Sequence, residues 1–472
     1  MFVKNSFEYD ARVTKEAKSL IEAGHDVTVV ALLSPKVTPE RETTAAGIRV
    51  IRVPRASLGV PTLNRIAARY AGTIEGRHAR LTGEPVDKEK LIELGRLSEA
   101  STVAPEDTPV PEAVVDRSTD PTQWSRRWAR ATTPLLRGFA ASARWSFRSA
   151  KKLLGRQGGR LRIWAIDRRM VDAGLSVGAD VFHAHDLNTL GVAATCKQRS
   201  PGSLLVYDSH ELQTERSRMS LEAKRKAIAE EGDGLPHADA MIVASPSWIR
   251  WNRDLYGSVP DPSITLINVP RMQHAEPSNA LRDELGIDPS DRIVVYQGSI
   301  QENRGIEPAI EAVRKLDHVV LVIIGYGYHR PALETYVEQE GLADRIRFFG
   351  PIPNDELLDY TASADVGLCN IVNASVSYYT SLPNKLFEYA MAGIPIVGSD
   401  SPEIGRVIDE EHIGEVCDPV DPEALAAAIT TILEDPGRYD AGLEHAKQTY
   451  NWDAEQQKLT SLYEVLGARI IQ

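Results

Sequence analysis

The sequence predicts an α/β protein with two doubly wound, Rossmann-like parallel-sheet domains facing one cleft. Three observations predict it. Short apolar, β-branched runs alternate with helical stretches, which is the pattern of βαβ units on a parallel sheet. The alternation occurs twice, with a plausible linker at Asn268 to Pro277 between the two sets. The chain has 472 residues, more than one ordinary core accommodates.

In the first set, Ala11 to Ala23 has helical spacing, with Val13, Ala17 and Leu20 on one side, and Gly24 stops it. Val27 to Leu33 and Ile48 to Val53 read as buried strands. A Rossmann-like unit begins with a central strand, yet only Met1 to Val3 precede the first loop. Either the start is assigned too far downstream or this strand is a stub. From about 65 to 170 the alternation fails. Glu84 to Asp120 is acidic and proline-rich, which reads as a loop or a partly disordered insertion. Trp124 to Met170 is dense in Arg and Lys against the single acid Asp167. The basic stretch 126–169 reads either as an amphipathic element touching anionic lipid or as a helical insertion paired with the acidic segment. Alternation resumes with strands Asp180 to His185, Leu204 to Asp208, Ala240 to Ala244 and Ser263 to Ile267, and helices Leu187 to Lys197 and Met219 to Glu231.

The second set runs through strands Ile293 to Gln297, Val319 to Ile324, Ile346 to Phe349, Val366 to Leu368 and Pro395 to Val397. Between and after them lie helices Ile306 to Leu316, Pro331 to Glu340, Asp355 to Ala362, Leu386 to Ala392 and Pro422 to Leu433. The expected domains are 1–269, carrying the insertion, then 270–448, then a closing helix over 449–472. Ligands of such sheets bind at the carboxyl ends of the strands, so two domains can present those ends across one cleft.

Composition narrows the function classes. A net charge of -12 disfavours nucleic acid as partner. The three cysteines, Cys196, Cys369 and Cys417, fit neither a disulfide framework nor a zinc spacing. No apolar run approaches the roughly 20 residues of a membrane span, and Met1 to Asp10 is no signal peptide. A soluble cytoplasmic protein is expected, with peripheral contact at the inner membrane face as the variant that the basic stretch allows.

The chemistry concentrates around Ser381 to Val397, SLPNKLFEYAMAGIPIV. A helix starting at a sheet's carboxyl edge points free N–H groups and a positive dipole end into the cleft, which suits a phosphate. Lys385 sits at that start, and backbone groups of Asn384 and Leu386 lie beside it. Glu388, one turn in, can accept two hydrogen bonds from a ribose diol. A plain structural role, an acid favoured by the dipole, would explain Glu388 if it stood alone. It is joined by Tyr296-Gln-Gly-Ser-Ile-Gln-Glu-Asn-Arg-Gly305, where Gly298 lets a ligand approach the backbone and Arg304 can neutralise a diphosphate.

Taken together, these segments resemble the GT-B-fold glycosyltransferases of the large retaining family 4. PNKLFEYAMAGIPIV resembles that family's donor-binding helix, and GSIQENRG its glycine loop. FFGPIPNDELLDYTASADVGL resembles the segment between them. YDARVTKEAKSLIEAGHDVTVVAL, DVFHAHDLNTLG and VYDSHELQTE resemble successive pieces of the acceptor-side domain. YNWDAEQQKLTSLYEVL resembles the last helix, which crosses back to the first domain. The resemblance covers nearly everything outside about 65–170.

It implies sugar transfer, with retention, from a nucleoside-diphosphate sugar to a carbohydrate, lipid-linked or small-molecule acceptor, with no metal or other cofactor. The donor-binding residues implied are Gly298, Ser299, Arg304, Thr380, Asn384, Lys385, Leu386 and Glu388. His210 is implied beside the anomeric carbon, with Arg304 as its catalytic partner and Asp186 and Glu211 as acceptor-side candidates. Two departures stand out. The family commonly has a first glutamate where this chain has Thr380, and an Arg where it has Ser299. His183 and His185 share one face of a strand and suggest a metal, but no third ligand at a fitting spacing is evident, so they read as cleft-edge or structural residues. A nucleotide-sugar 2-epimerase and a non-catalytic nucleotide-sugar-binding scaffold are the competing readings.

Overall fold

The computed structural model describes residues 1–8, 10–34, 38–55, 159, 161–353 and 355–471. The chain divides into two compact units, 1–53 with 170–472, and 54–169. Apart from 159 and 161–170, the insertion expected over 65–170 lies outside the described residues. So do Glu84 to Asp120 and most of the basic stretch 126–169.

The first unit holds two sheets, both parallel except for one edge strand of the N-terminal one. The N-terminal one is built from β1 (Thr28–Leu32), β2 (Arg41–Thr43), β3 (Arg49–Val53), β4 (Val181–His185), β5 (Leu204–Ser209), β6 (Ala240–Val243) and β7 (Ser263–Thr265). β1 pairs β3 in parallel, β4 to β7 pair in sequence order, and β2 runs antiparallel at the β3 edge. The segment Met1 to Val3 joins the two halves. Phe2 bridges Val30 of β1 and Ala184 of β4. Its N–H donates to the His183 carbonyl at 2.8 Å, and its carbonyl accepts from His185 N–H at 3.2 Å. Met1 to Val3 thus occupy the central position that the sequence reading assigned to a missing strand.

The C-terminal sheet contains β8 (Arg292–Gln297), β9 (Val319–Ile324), β10 (Ile346–Phe349), β11 (Val366–Cys369), β12 (Ile396–Ser399) and β13 (Gly414–Cys417). Its spatial order is β10-β9-β8-β11-β12-β13, all parallel. The order reverses between β8 and β11, so the crevice of this sheet opens there. Every residue of β9 and β11 is buried, which is why both read as unbroken apolar runs.

Three helices position the chemistry. α1 (Ala11–Glu22) is capped by Asp10, whose side chain accepts from Val13 N–H. α2 (Asn384–Ala392) starts after Pro383 and ends at Gly393, which adopts the left-handed conformation that glycine favours. α2 begins two residues earlier than the apolar pattern indicated, because Asn384 and Lys385 belong to its first turn. α3 (Trp452–Ile471) returns to α1, where Trp452 is fully buried and its indole N–H donates to Ser19 Oγ at 2.9 Å. The helix Pro246–Tyr256 escaped the sequence reading. Its buried face offers Trp248 and Asn252 rather than a run of aliphatic residues.

Tyr389 anchors α2 to the switch point. Its hydroxyl accepts from Gln297 N–H at 3.0 Å and lies 3.3 Å from the carbonyls of Val295 and Leu368. The ring fits only because residue 367 lacks a side chain, since a Cβ there would come 2.5 Å from the Tyr389 ring. Gly367→Ala is therefore expected to lower stability by about 1–3 kcal/mol through overpacking, read as a lower midpoint of urea unfolding. An unchanged midpoint would contradict this packing.

Candidate functional site

The carboxyl edge of the C-terminal sheet forms the first half of the site. β8 ends at Gln297, and the next residue, Gly298, has φ +128 and is exposed. Two close approaches fold the loop after it. A Cβ at Gly325 would meet the Gly298 carbonyl at 2.0 Å, and one at Gly305 would meet the Asn370 carbonyl at 1.9 Å. Asn370 Nδ2 also donates to the Gly305 carbonyl at 2.6 Å. Ser299 is half-buried, and its carbonyl accepts from the Tyr296 hydroxyl at 2.9 Å.

Two cations sit here, and neither makes an ion pair among the described residues. Lys385 is buried, with Nζ 3.5 Å from the centroid of the Tyr296 ring and no hydrogen-bond partner among the described residues. Burial pushes its ammonium down to about 7, and nearby Arg304 adds to the fall. The Arg304 guanidinium lies 4.6 Å from the Tyr378 ring centroid, and its buried Nε also lacks a partner among the described residues. Asn384 is exposed at the start of α2, where no side chain caps the helix. The Leu386 side chain is wholly in the core and its N–H donates to the Pro383 carbonyl at 3.1 Å, so Leu386 offers a ligand nothing but backbone near that turn. Glu388 is half-buried and accepts from Gln297 Nε2 at 2.5 Å. Burial raises its carboxyl, while Gln297, Lys385 and Lys15 of α1 pull it back.

Thr380 stands apart from this group. Its hydroxyl donates to the Val376 carbonyl at 2.8 Å and accepts from Trp248 Nε1 at 2.9 Å, and its carbonyl accepts from Ser245 Oγ at 2.7 Å. At the position where the resembling family commonly carries an acid, this chain ties its two sheets together.

The second half lies at the carboxyl edge of the N-terminal sheet. His210 follows β5. Its Nε2 is 3.1 Å from Asp208 Oδ2, and its Nδ1 is 3.5 Å from Asp186 Oδ2. Burial opposes its charge, but the Asp208 carboxylate outweighs that and raises the ring to about 9. Asp186 holds φ +65, a conformation rare for a residue with a side chain, and accepts from His210 N–H at 3.3 Å. Glu211 pairs with Arg216 at 3.3 Å and accepts from Gln213 Nε2 at 3.2 Å, and burial raises its carboxyl. The loop beyond His210 reaches the other half of the site, where Ser377 N–H donates to the Glu215 carbonyl at 3.4 Å.

His183 lies outside the cluster that the fold assembles around His185 from positions distant in the sequence. Glu16, His185, Asp208 and His210 bring one ligand-type atom each within 4.8 Å of one another. Arg12 already pairs with two of these groups, bonding Asp208 at 2.8 and 3.2 Å and lying 2.9 Å from Glu16. Sequence reasoning missed Arg12, Glu16 and Asp208. The available signal was the pair Arg12 and Glu16, four apart and flanking the apolar stripe of Val13 and Ala17. Charges at the edge of a buried helical face call for a buried partner.

Glu16 gives a pH test. Burial and Asp208 push its carboxyl up from 4.5 to about 8. The folded chain therefore holds this proton more tightly than the unfolded one. Stability is unaffected below about pH 4 and falls as pH rises through 4.5 towards 8. Glu16→Gln, which keeps the neutral form, is expected to melt higher than the parent at pH 8.5 by a margin that is much smaller at pH 5. An equal margin at both pH values would contradict the assignment.

Residues 277–450 match the family described as glycosyl transferases group 1. The D-inositol 3-phosphate glycosyltransferase of Xylanimonas cellulosilytica is 25% identical over 258 residues, covering 51% of this chain and 60% of that one. The chain spans about half the length of the curated relatives it matches. Sucrose-phosphate synthase from Thermosynechococcus elongatus has a TM-score of 0.63 at 19% identity, over 97% of this chain and 93% of that one. Anabaena HepE in complex with UDP-glucose has a TM-score of 0.54 at 17% identity, over 63% and 82%. These likenesses are ones of fold: the chain has the GT-B architecture of two Rossmann-like sheets, and its segment 277–450 matches the glycosyl transferases group 1.

Proposed function

We propose that this protein is a glycosyltransferase that moves a sugar from a nucleoside-diphosphate sugar to an acceptor hydroxyl with retention of configuration. The observation that carries the reading is the pair Lys385 and Arg304, two cations without carboxylate partners among the described residues, beside an uncapped helix start and the exposed Gly298. Such a place suits a diphosphate. Glu388, one turn along α2, is in reach of the attached ribose. The family match over the same residues supports the reading.

In this reaction the bond from the anomeric carbon to the diphosphate oxygen breaks, and its electron pair leaves with the diphosphate. The acceptor oxygen forms the new bond on the same face, and its proton goes to the departing phosphate. Lys385, Arg304 and the first N–H groups of α2 stabilise the charge that develops on the leaving group. One such fixed donor is worth roughly 2.7–4 kcal/mol. Gly298 and Ser299 line the approach, and His210 meets the donor sugar from the other sheet. Asp186 and Glu211 face the acceptor. Thr380 supplies no carboxylate, so sugar selection falls to other groups. No metal is required for these steps. Cytoplasmic synthesis of a cell-surface polysaccharide or glycolipid fits the reading, with the basic stretch 126–169 as a contact to anionic lipid.

The test is incubation with a panel of nucleotide sugars and sugar, lipid-linked and small-molecule acceptors, scored for transfer and hydrolysis. Binding without turnover would favour a scaffold, and interconversion of the donor sugar would favour an epimerase. Lys385→Met is expected to lower turnover about 10²–10³-fold, and normal turnover would remove it from the site. Glu388→Ala is expected to weaken binding of the cognate nucleotide sugar about tenfold or more, and unchanged affinity in calorimetry would sink that assignment. His210→Ala is expected to abolish transfer while nucleotide binding persists, and a fully active variant would take His210 out of the chemistry.

A further inference from the structure

The loop after β8, Gly298 to Gly305, contains a single acid, Glu302, two residues before Arg304. A free carboxylate in that loop would compete with an arriving anion for Arg304 and would repel it. Its charge is taken up from the other sheet. Arg218 lies on the loop 210–220, which follows β5 and begins with His210. Its Nη2 pairs with Glu302 Oε2, and its Nη1 donates to the Tyr328 hydroxyl at 3.2 Å. Arg218 is the ion-pair partner of Glu302 among the described residues.

The two partners of Arg218 belong to one platform. Tyr328 closes the turn after β9, and that turn lies against the loop after β8. Ile300 N–H donates to the Tyr326 carbonyl at 2.9 Å, and a Cβ at Gly327 would come 1.9 Å from the Ile300 carbonyl. On the other side, Lys224 of the helix Leu221–Gly234 pairs with Glu215 at 2.6 Å and fixes the loop 210–220 near its middle. The bond from Ser377 N–H to the Glu215 carbonyl crosses the cleft beside it. Arg218 holds φ +60, a conformation that costs free energy for a residue with a side chain and persists where its contacts demand it. With the side chains of Arg218 and Glu302 61% and 40% exposed, the pair is a weak one, able to open and close.

We propose that Arg218 is a positioning residue: it takes up the charge of Glu302, which leaves Arg304 to an anionic ligand, and in the same contact it fastens the loop carrying His210 onto the loop carrying Arg304. Arg218 touches neither the sugar nor the diphosphate in this role. The inference rests on the glycosyl-transfer reading for the identity of the ligand, the diphosphate of the donor, and not for the fastening across the cleft.

The test uses the full chain and two readouts. Amide hydrogen exchange, followed by mass spectrometry without nucleotide, reads the fastening over residues 211–220 and 371–380. Arg218→Met and Glu302→Gln are each expected to speed exchange there about twofold or more, and Arg218→Lys to keep part of the protection. Both side chains are exposed, so these variants are expected to fold. Calorimetry with UDP, ADP and GDP reads the charge. Arg218→Met is expected to weaken the nucleotide that binds best by about two- to fivefold, a loss that shrinks in about 1 M salt. Adding Glu302→Gln to Arg218→Met is expected to restore the affinity but not the protection, a split that loss of a merely structural contact would not produce. Unchanged exchange in both single variants overturns the proposal. So does an affinity that Glu302→Gln fails to restore, the result expected if Arg218 itself held a phosphate. If exchange responds as expected while none of the three nucleotides binds the wild type, the proposed function falls and the fastening stands. Nucleotide binding with unchanged exchange does the reverse.

Discussion

An unpaired buried charge is among the costliest things a fold can keep, and here buried Lys385 has no ion-pair partner among the described residues and stands beside half-buried Arg304. Lys385 and Arg304 each lie over a tyrosine face, which supplies on the order of 0.5–2 kcal/mol of cation–π attraction, well short of what a carboxylate would give. The depressed ammonium of Lys385 records the deficit. The local backbone keeps the arrangement in place. Gly325 lies against Gly298 and Gly305 against Asn370, so the loops pack backbone to backbone at the crevice between β8 and β11. An arriving dianion would offset both charges, which gives the crevice a chemical preference.

The other sheet solves the opposite problem. Its charges are abundant but closed on themselves, with Arg12, Asp208, His185 and His210 linked through one carboxylate. Two sheets of like topology therefore carry unlike chemistry at corresponding edges. One edge leaves positive charge open, and the other fixes one half-exposed ring in orientation. Trp248 and Ser245 bonding Thr380, with Ser247 bonding Glu403, hold the two edges in register.

Much of this was legible in the sequence because parallel strands buried on both faces are written as apolar runs. β8, β9 and β11 stand where Ile293 to Gln297, Val319 to Ile324 and Val366 to Leu368 indicated. The polar start of α2 was legible as a loop but not as helix, since Pro383 to Lys385 carry no apolar period. Helix Pro246–Tyr256 was hidden for the same reason, its buried face being Trp248 and Asn252. Lys385, Arg304, Glu388 and His210 were visible as residue types in order. The contact of Arg12 with Asp208 was not, because the two are 196 positions apart and only the fold joins them. The role of Thr380 was equally invisible, since its partner Trp248 lies on the helix that the pattern missed.

The most direct measurement is a crystal structure of the full chain with a nucleoside-diphosphate sugar bound. The account predicts phosphate oxygens within hydrogen-bond reach of Lys385 Nζ, Arg304 and the first N–H groups of α2, with the ribose on Glu388. A nucleotide bound away from the crevice between β8 and β11, with Glu388 turned from it, would contradict the account.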